Sequence, residues 1–101
     1  MTPVVFIAEG GFYASEFHAE CPYPCVCEGL TVSCANKDLT DVPVNIPPET
    51  QRLDLQENRI AVIRKSDFMN LKNLKILQLM ENHIHTVEPD AFNDLIELER
   101  M

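Results

Sequence analysis

The chain has 101 residues, of which 46% are apolar and 24% are charged, a composition that fits one small folded domain. Its formal net charge of -8 argues against a nucleic-acid-binding protein, because phosphate recognition needs a concentrated excess of lysine and arginine. The longest apolar run, Val4 to Ala8, is far shorter than the roughly 20 residues of a membrane-spanning helix. No membrane insertion is therefore expected.

Residues 1–20 contain no lysine or arginine, and Glu9 and Glu16 interrupt their apolar character. A secretory signal should show a basic start followed by an apolar stretch of roughly 7 to 15 residues. We therefore predict that residues 1–20 are unstructured, and the compartment must be inferred from the cysteines instead.

All four cysteines fall between residues 21 and 34, in the pattern C-x3-C-x-C-x6-C. An even, clustered set favours a disulfide framework over zinc, since structural zinc sites usually present paired C-x2-C knuckles. Bonding Cys25 to Cys27 would strain a very small ring. Two pairings remain open: Cys21 with Cys27 and Cys25 with Cys34, or Cys21 with Cys25 and Cys27 with Cys34.

Residues 53–100 contain an internal repeat with a fixed offset of 24 residues, and eight positions match in register. Each unit reads L-x-L-x-x-N-x-I-x-x-I followed by F-x-x-L-x-x-L, which is the leucine-rich-repeat pattern. The sequence thus predicts an α/β-type leucine-rich-repeat solenoid with short parallel strands on its concave side. Its repeats span 53–76 and 77–100, and Met101 begins a third. The matched pairs are Leu53/Leu77, Leu55/Leu79, Asn58/Asn82, Ile60/Ile84, Ile63/Val87, Phe68/Phe92, Leu71/Leu95 and Leu74/Leu98.

Alternation within each repeat separates the buried positions from the exposed ones. The paired leucines have the period of a strand and should point inward. Asn58 and Asn82 follow each strand, where a buried amide can bond free backbone groups of neighbouring turns in a ladder. The residues between the leucines should form a concave face, which is the candidate contact surface. Crowding by the following repeat is the alternative explanation for apolar residues at its positions 76 and 80. The candidate residues of this face are Arg52, Asp54, Gln56, Ile76, Gln78 and Met80.

Residues 21–52 are predicted to form a cap on the first repeat. Thr31 to Cys34 has the pattern of a short strand, and Leu39-x-x-Val42 imitates the Ile60-x-x-Ile63 segment of a repeat. Without a cap, the first strand of a solenoid would expose unpaired backbone groups and an apolar face. Disulfides would let so short a segment hold that position.

The segment from Cys21 to Met101 resembles extracellular leucine-rich-repeat proteins that begin with a cysteine-rich N-terminal cap. The resemblance implies bonds from first to third and second to fourth cysteine, hence Cys21 with Cys27 and Cys25 with Cys34. It also implies a secreted or extracellular protein. The motifs that carry it are Cys21-Pro22-x-x-Cys25-x-Cys27, Val32-x-Cys34, Leu39-x-x-Val42-Pro43, Ile46-Pro47 and Leu53-x-Leu55-x-x-Asn58.

Finer features are similar to the opening repeats of the Slit family of secreted axon-guidance ligands, and Gln78, Met80 and Glu81 are not dictated by the repeat scaffold. The resemblance implies a ligand that acts through Roundabout-type receptors and binds heparan sulfate. No receptor-binding residue is carried over, because receptor contact in that family lies mainly on a later repeat domain. The similar segments are Leu77 to Asn82, Val87-Glu88, Ala91-Phe92, Asp94 and Glu97 to Arg100.

Enzymatic chemistry finds little support, since the chain has neither a phosphate-cradling glycine loop nor a nucleophile elbow. No cofactor or metal is expected, because His83 and His85 lack further ligands. A protein-binding function fits better, with a leucine-rich-repeat receptor or adhesion protein as the alternative to a Slit-like ligand. Residues 52–75 also hold six of the eight basic residues, and a basic band could meet sulfated glycans or be an ordinary solvated face. Its candidate glycan contacts are Arg59, Arg64, Lys65, Lys72 and Lys75.

Overall fold

The computed structural model describes residues 21–101, so the prediction that residues 1–20 are unstructured lies outside the described residues. Within residues 21–101 there is no α-helix, and turns make up the convex side. The strands in chain order are β1 (Val26–Glu28), β2 (Thr31–Ser33), β3 (Arg52–Asp54), β4 (Val62–Ile63), β5 (Ile76–Gln78) and β6 (Thr86–Val87).

The main sheet has the order β1-β2-β3-β5. The first two strands form an antiparallel hairpin, and the other neighbours are parallel. Leu53 lies opposite Leu77, so the 24-residue offset of the sequence is the register of the sheet. A parallel bridge from Ile76 to Arg100 extends that register into the next unit. The solenoid fold predicted from the repeat is confirmed.

A second, two-stranded parallel sheet runs along one flank of the repeats, where β4 pairs with β6. Val62 lies opposite Thr86, and the Glu88 amide donates to the Ile63 carbonyl at 2.9 Å. This flank sheet was not predicted from the sequence, because two-residue strands leave no alternation to detect. It joins the two repeats on the side where the chain leaves the main sheet.

The core lies between the main sheet and the convex turns. Leu53 and Leu77 are completely buried, as is Phe68. The ring of Phe68 stacks on that of Phe92, with ring centroids 5.9 Å apart and planes inclined by 16°. Each repeat thus places the same side chains on those of its neighbour, as a one-dimensional array requires.

Two disulfides close the N-terminal cap, Cys21 with Cys27 and Cys25 with Cys34. Cys34 is fully buried and belongs to the core, together with Val32 and Val42. The cap therefore reaches into the same core as the repeats. The β1–β2 hairpin covers the edge of the sheet that β3 would otherwise expose. The first repeat therefore does not present a row of unpaired backbone groups at that edge.

Candidate functional site: the concave face

The outward side chains of the main sheet lie in rows that run across the strands, because residues in register share a face. The row that contains Arg52 and Arg100 is called the arginine row, and the row that contains Asp54 is called the aspartate row. A third pair, Gln56 and Met80, follows the ends of β3 and β5. The arginine row is Glu28, Thr31, Arg52, Ile76 and Arg100, and the aspartate row is Val26, Ser33, Asp54 and Gln78.

The six residues predicted for the concave face differ in exposure. Arg52 and Met80 are exposed, whereas Gln56, Ile76 and Gln78 are half-buried. Asp54 is buried, with only 8% of its surface exposed. The expectation that all six face solvent is therefore wrong for Asp54. Neighbouring strands lie less than 5 Å apart, so side chains on both sides cover a short residue on the middle strand.

The buried carboxylate of Asp54 is paired with Arg52 two residues earlier on the same strand. Arg52 Nε donates to both carboxylate oxygens, at 3.0 Å to Oδ1 and 3.2 Å to Oδ2. The Asp54 side chain is 12% exposed and that of Arg52 is 44% exposed. A buried charge needs such a partner. The pair also holds the guanidinium in one place on the concave surface.

The third pair gives the concave face an apolar end. Met80 is 61% exposed, although a large apolar side chain usually avoids water. Beside it, Oε1 of Gln56 is buried and has no hydrogen-bond partner among residues 21–101. Half-buried Ile76 lies next to the fixed arginine, and Met80 adds apolar contact area at the other end of the face; arginine and apolar side chains together are what protein interfaces favour.

The asparagine ladder supports the turns that follow the strands. Asn58 Nδ2 donates to the carbonyls of Cys34 and Leu55, each at 2.9 Å. Asn58 Oδ1 accepts from the amides of Lys37 at 2.9 Å and Leu39 at 3.0 Å. One side chain thereby ties the cap to the first repeat.

Asn82 occupies the equivalent place one repeat later. Its Nδ2 donates to the carbonyls of Leu55 and Leu79 at 2.9 and 3.1 Å, and its Oδ1 accepts from the Ile60 amide at 3.0 Å. Both asparagines therefore bond the unit before their own, which makes them structural residues and not contacts for a partner.

The five candidate glycan-contacting residues are spread around the first repeat. Arg64 and Lys65 follow β4, Lys72 lies in a convex turn, and Lys75 directly precedes β5. Arg59 lies beyond the ladder asparagine. Because these places belong to different sides of the unit, the chain does not bring all five residues together.

Two of these basic side chains are already paired with acids of the cap. Arg59 lies 3.7 Å from Asp38, and Arg64 Nη1 donates to Asp41 at 2.8 Å. The hydrogen bond from Arg64 lowers the pKa of Asp41, with help from Thr40, and the same contact raises the pKa of Arg64. Burial instead raises the pKa of the neighbouring Asp67.

Residues 21–101 hold no group of three or more metal-ligating side chains. His83 and His85 are exposed, and His85 Nδ1 lies 2.8 Å from the Thr86 hydroxyl. Nor does this part of the chain contain a helix of the length and hydrophobicity that a bilayer crossing requires. All four cysteines are in disulfides, which fits an extracellular protein.

The sequence reasoning missed five members of the two rows: Val26, Glu28, Thr31, Ser33 and Arg100. For Arg100 a signal was present, because it lies 24 residues after Ile76 and the repeat offset places it in the arginine row. The four cap residues gave no such signal. Val32 pairs with Leu53 across an offset of 21 residues, which the period of the repeats does not reveal.

Comparison with known proteins agrees with this geometry. Residues 20–47 match the family model for the leucine rich repeat N-terminal domain. Residues 48–101, more than half of the chain, match the model for the leucine rich repeat. The chain belongs to the leucine-rich repeat family. Both models describe leucine-rich-repeat modules, and neither describes an enzyme.

Several leucine-rich-repeat proteins are similar to this one. Decorin from Coturnix japonica is 47% identical over 66 residues, which cover 65% of this chain and 18% of decorin. Leucine-rich repeat-containing protein 3B from Homo sapiens is 37% identical over 86 residues, 80% of this chain and 33% of that protein. The crystal structure of human 5T4, also named Wnt-activated inhibitory factor 1 or trophoblast glycoprotein, superposes with a TM-score of 0.73 at 30% identity. It matches over 80% of this chain and 32% of its own.

The chain thus spans between 18% and 33% of the length of these relatives. The likeness supports an extracellular leucine-rich-repeat module, and none of these relatives is a Slit protein.

Proposed function

We propose that this chain is part of an extracellular module that binds a protein partner through the concave face of its sheet. The observation that carries the proposal is the outward surface of β3 and β5, where a fixed arginine stands beside apolar Ile76, and exposed Met80 lies at the other end of the same surface. Arginine together with apolar side chains is the composition of interface centres.

Two identities for the whole protein are compatible with such a module. A Slit-like secreted ligand, acting through Roundabout-type receptors and heparan sulfate, is supported by the resemblance at Gln78, Met80 and Glu81. A leucine-rich-repeat receptor or adhesion protein at the cell surface is supported equally by the likeness to 5T4. Sequencing the full transcript separates them: further 24-residue repeats followed by growth-factor-like modules favour the ligand, and a transmembrane helix favours the receptor.

Heparan sulfate is a weaker candidate partner than a protein. The basic residues are dispersed around the first repeat, and Arg59 and Arg64 already face acids. A glycan contact would therefore draw mainly on Lys65, Lys72 and Lys75, against a net charge of -8. Retention on heparin at physiological salt tests it, since a chain with an ordinary solvated face would pass through the column.

The protein-binding proposal is tested by screening the secreted chain, fused to a dimeric tag, against an array of extracellular domains. For any partner found, Gln78→Arg and Met80→Arg should each abolish binding, because a bulky charge on the concave face blocks contact. Lys72→Ala, in a convex turn, is the matched control and should bind like the parent chain. Parental binding in both concave variants would refute the proposal.

A further inference from the structure

We infer that the arginine row recognises an acidic segment of a partner protein, with one carboxylate at Arg52, one at Arg100, and an apolar side chain on Ile76 between them. This inference rests on the proposed function, and it specifies the chemistry of the partner.

The register of the sheet sets the geometry of this site. Ile76 pairs in parallel with Arg52 on one side and with Arg100 on the other. Residues in register share a face, and strands are about 4.8 Å apart, so the two arginines lie roughly 10 Å apart across Ile76. Two long cationic side chains therefore flank one half-buried apolar side chain on the same surface.

Arg52 is held in a position suited to carboxylate recognition. Its Nε is used by Asp54, whereas its two terminal nitrogens make no hydrogen bond with any residue of the described part of the chain. Those nitrogens form a planar fork that can bind a second carboxylate with two parallel bonds. Because Asp54 already restricts the side chain, little conformational entropy remains to be lost on binding.

The local charge also selects an acidic partner, despite the acidity of the whole chain. Asp54 is buried and paired, and the remaining acid of the arginine row, Glu28, lies at its opposite end on the edge strand β1. Arg100 is exposed and forms no ion pair within residues 21–101. Asp54 offsets the charge of Arg52, so Arg100 is the cation of the row that has no acidic partner among the described residues. Such a charge can attract an acidic segment even when the net charge of the chain has the same sign as the segment.

The site can be probed directly with a short peptide that contains Glu-Gly-Leu-Gly-Glu, because alternate residues of an extended peptide share a face and the three side chains can then meet the row together. Titration of the isotope-labelled chain, followed by amide chemical shifts, should move the signals of Thr31, Arg52 and Ile76 together. The matched control peptide carries glutamine in place of both glutamates and should bind at least about tenfold more weakly, because charge-assisted bonds are lost. Equal binding of the two peptides would overturn the inference.

Three variants assign the effect to the arginines. Arg100→Gln should weaken peptide binding about tenfold, and it disturbs no ion pair of the described chain. Arg52→Lys keeps the charge but removes the fork, so it should also weaken binding. Arg59→Gln, outside the row, is the control and should bind like the parent chain. Parental affinity in both row variants would overturn the inference.

Further outcomes separate this inference from the proposed function. If Met80→Arg abolishes binding of a protein partner while Arg100→Gln and Arg52→Lys do not weaken it, the inference fails and the concave-face proposal stands. If no concave variant affects that partner, both fail. A heparin tetrasaccharide that shifts the same amides at lower concentration than the peptide would identify a glycan site and also overturn the inference.

Discussion

The polar side chains that hold this fold together are the two ladder asparagines. Asn58 is buried and makes five hydrogen bonds to backbone groups. Asn82 is half-buried and makes four. Both bond backbone groups that the short strands leave free, and a buried group of this kind is costly to leave unpaired.

Replacing Asn82 by alanine should lower the free energy of unfolding by about 1 to 3 kcal/mol, because several backbone groups lose their partner. Asn58→Ala should cost at least as much, since Asn58 is the more buried of the two. Gln78→Ala, on the concave face, is the control and should cost little. Urea denaturation measures all three, and equal losses for Asn82 and Gln78 would show that the two side chains do not have these different roles.

At the scale of elements, the units are joined along their flanks by side chains that reach from one unit to the next. Arg64 of the first repeat pairs with Asp41 of the cap at 2.8 Å. The Lys65 amide donates to Glu88 at 2.8 Å, and the Asn70 amide donates to Asp94 at 2.7 Å. Such contacts are the neighbour terms on which the stability of a repeat array depends.

Two carboxylates of this flank should respond to pH in opposite directions. The folded-state pKa of Asp41 is lowered, mainly by the Arg64 hydrogen bond. The ionised Asp41 side chain therefore stabilises the fold above the usual pKa of 3.8, and this contribution is lost as pH falls through the lowered pKa. The pKa of Asp67 is raised by burial, so its contribution is present below 3.8 and is lost as pH rises through the raised pKa.

Asp41→Asn should therefore lower the melting temperature slightly at neutral pH, and the difference should vanish well below pH 3.8. Asp67→Asn should instead raise it slightly at neutral pH, because asparagine resembles the protonated acid and can still accept from the Arg64 amide. Both effects should be small, since the two groups are at least partly exposed. Shifts of the same sign in the two variants would contradict the assignment.

The cap depends on its disulfides because its hairpin buries little surface: every residue of β1 is exposed. Peptide mapping without reduction, on protein made under oxidising conditions, should recover Cys21 linked to Cys27 and Cys25 linked to Cys34. Four free thiols, or one zinc ion per chain, would contradict both the pairing and the extracellular compartment.

On the scale of the whole molecule, the two repeats differ in how well their apolar side chains are covered. Leu55, Ile60, Ile63, Phe68 and Leu74 of the first repeat are fully buried. Their equivalents in the second repeat are only partly covered, and Val87 is 48% exposed. The difference arises because the whole second repeat covers the first, whereas among the described residues only the backbone at Glu99 and Arg100 pairs with the outer edge of β5. The partly covered equivalents are Leu79, Ile84, Val87, Phe92 and Leu98.

We expect this 101-residue chain, expressed by itself, to be marginally stable and to associate through that apolar side of the second repeat. About three stacked repeats are usually needed for stability, and exposed apolar surface promotes association. Val87→Lys should shift the chain toward monomer in sedimentation velocity. Ile96→Lys is the control, because Ile96 is equivalent to exposed Lys72 and lies off the stacking side, so it should change nothing. A parent chain that is monomeric at all concentrations would contradict the expectation.

The repeat unit was determined by the sequence alone. A 24-residue period brings equivalent residues side by side when identical units stack, so the inward leucines, the stacked Phe68 and Phe92 and the register of β3 with β5 followed from spacing. The same 24-residue offset also predicts that Arg100 lies in the arginine row. The clustered cysteines pointed to disulfides, and the resemblance to known caps implied which of them pair.

Tertiary structure decided the properties that depend on what lies beside a residue. Asp54 is buried because strands on both sides of β3 cover it, and Arg52 is fixed because that buried charge needs a partner. The basic residues are dispersed because each repeat of 24 residues passes in turn through the main sheet, the flank sheet and the convex side. No period reveals such neighbours, since the burial that makes Asp54 need Arg52 as a partner arises between strands that are distant in the chain.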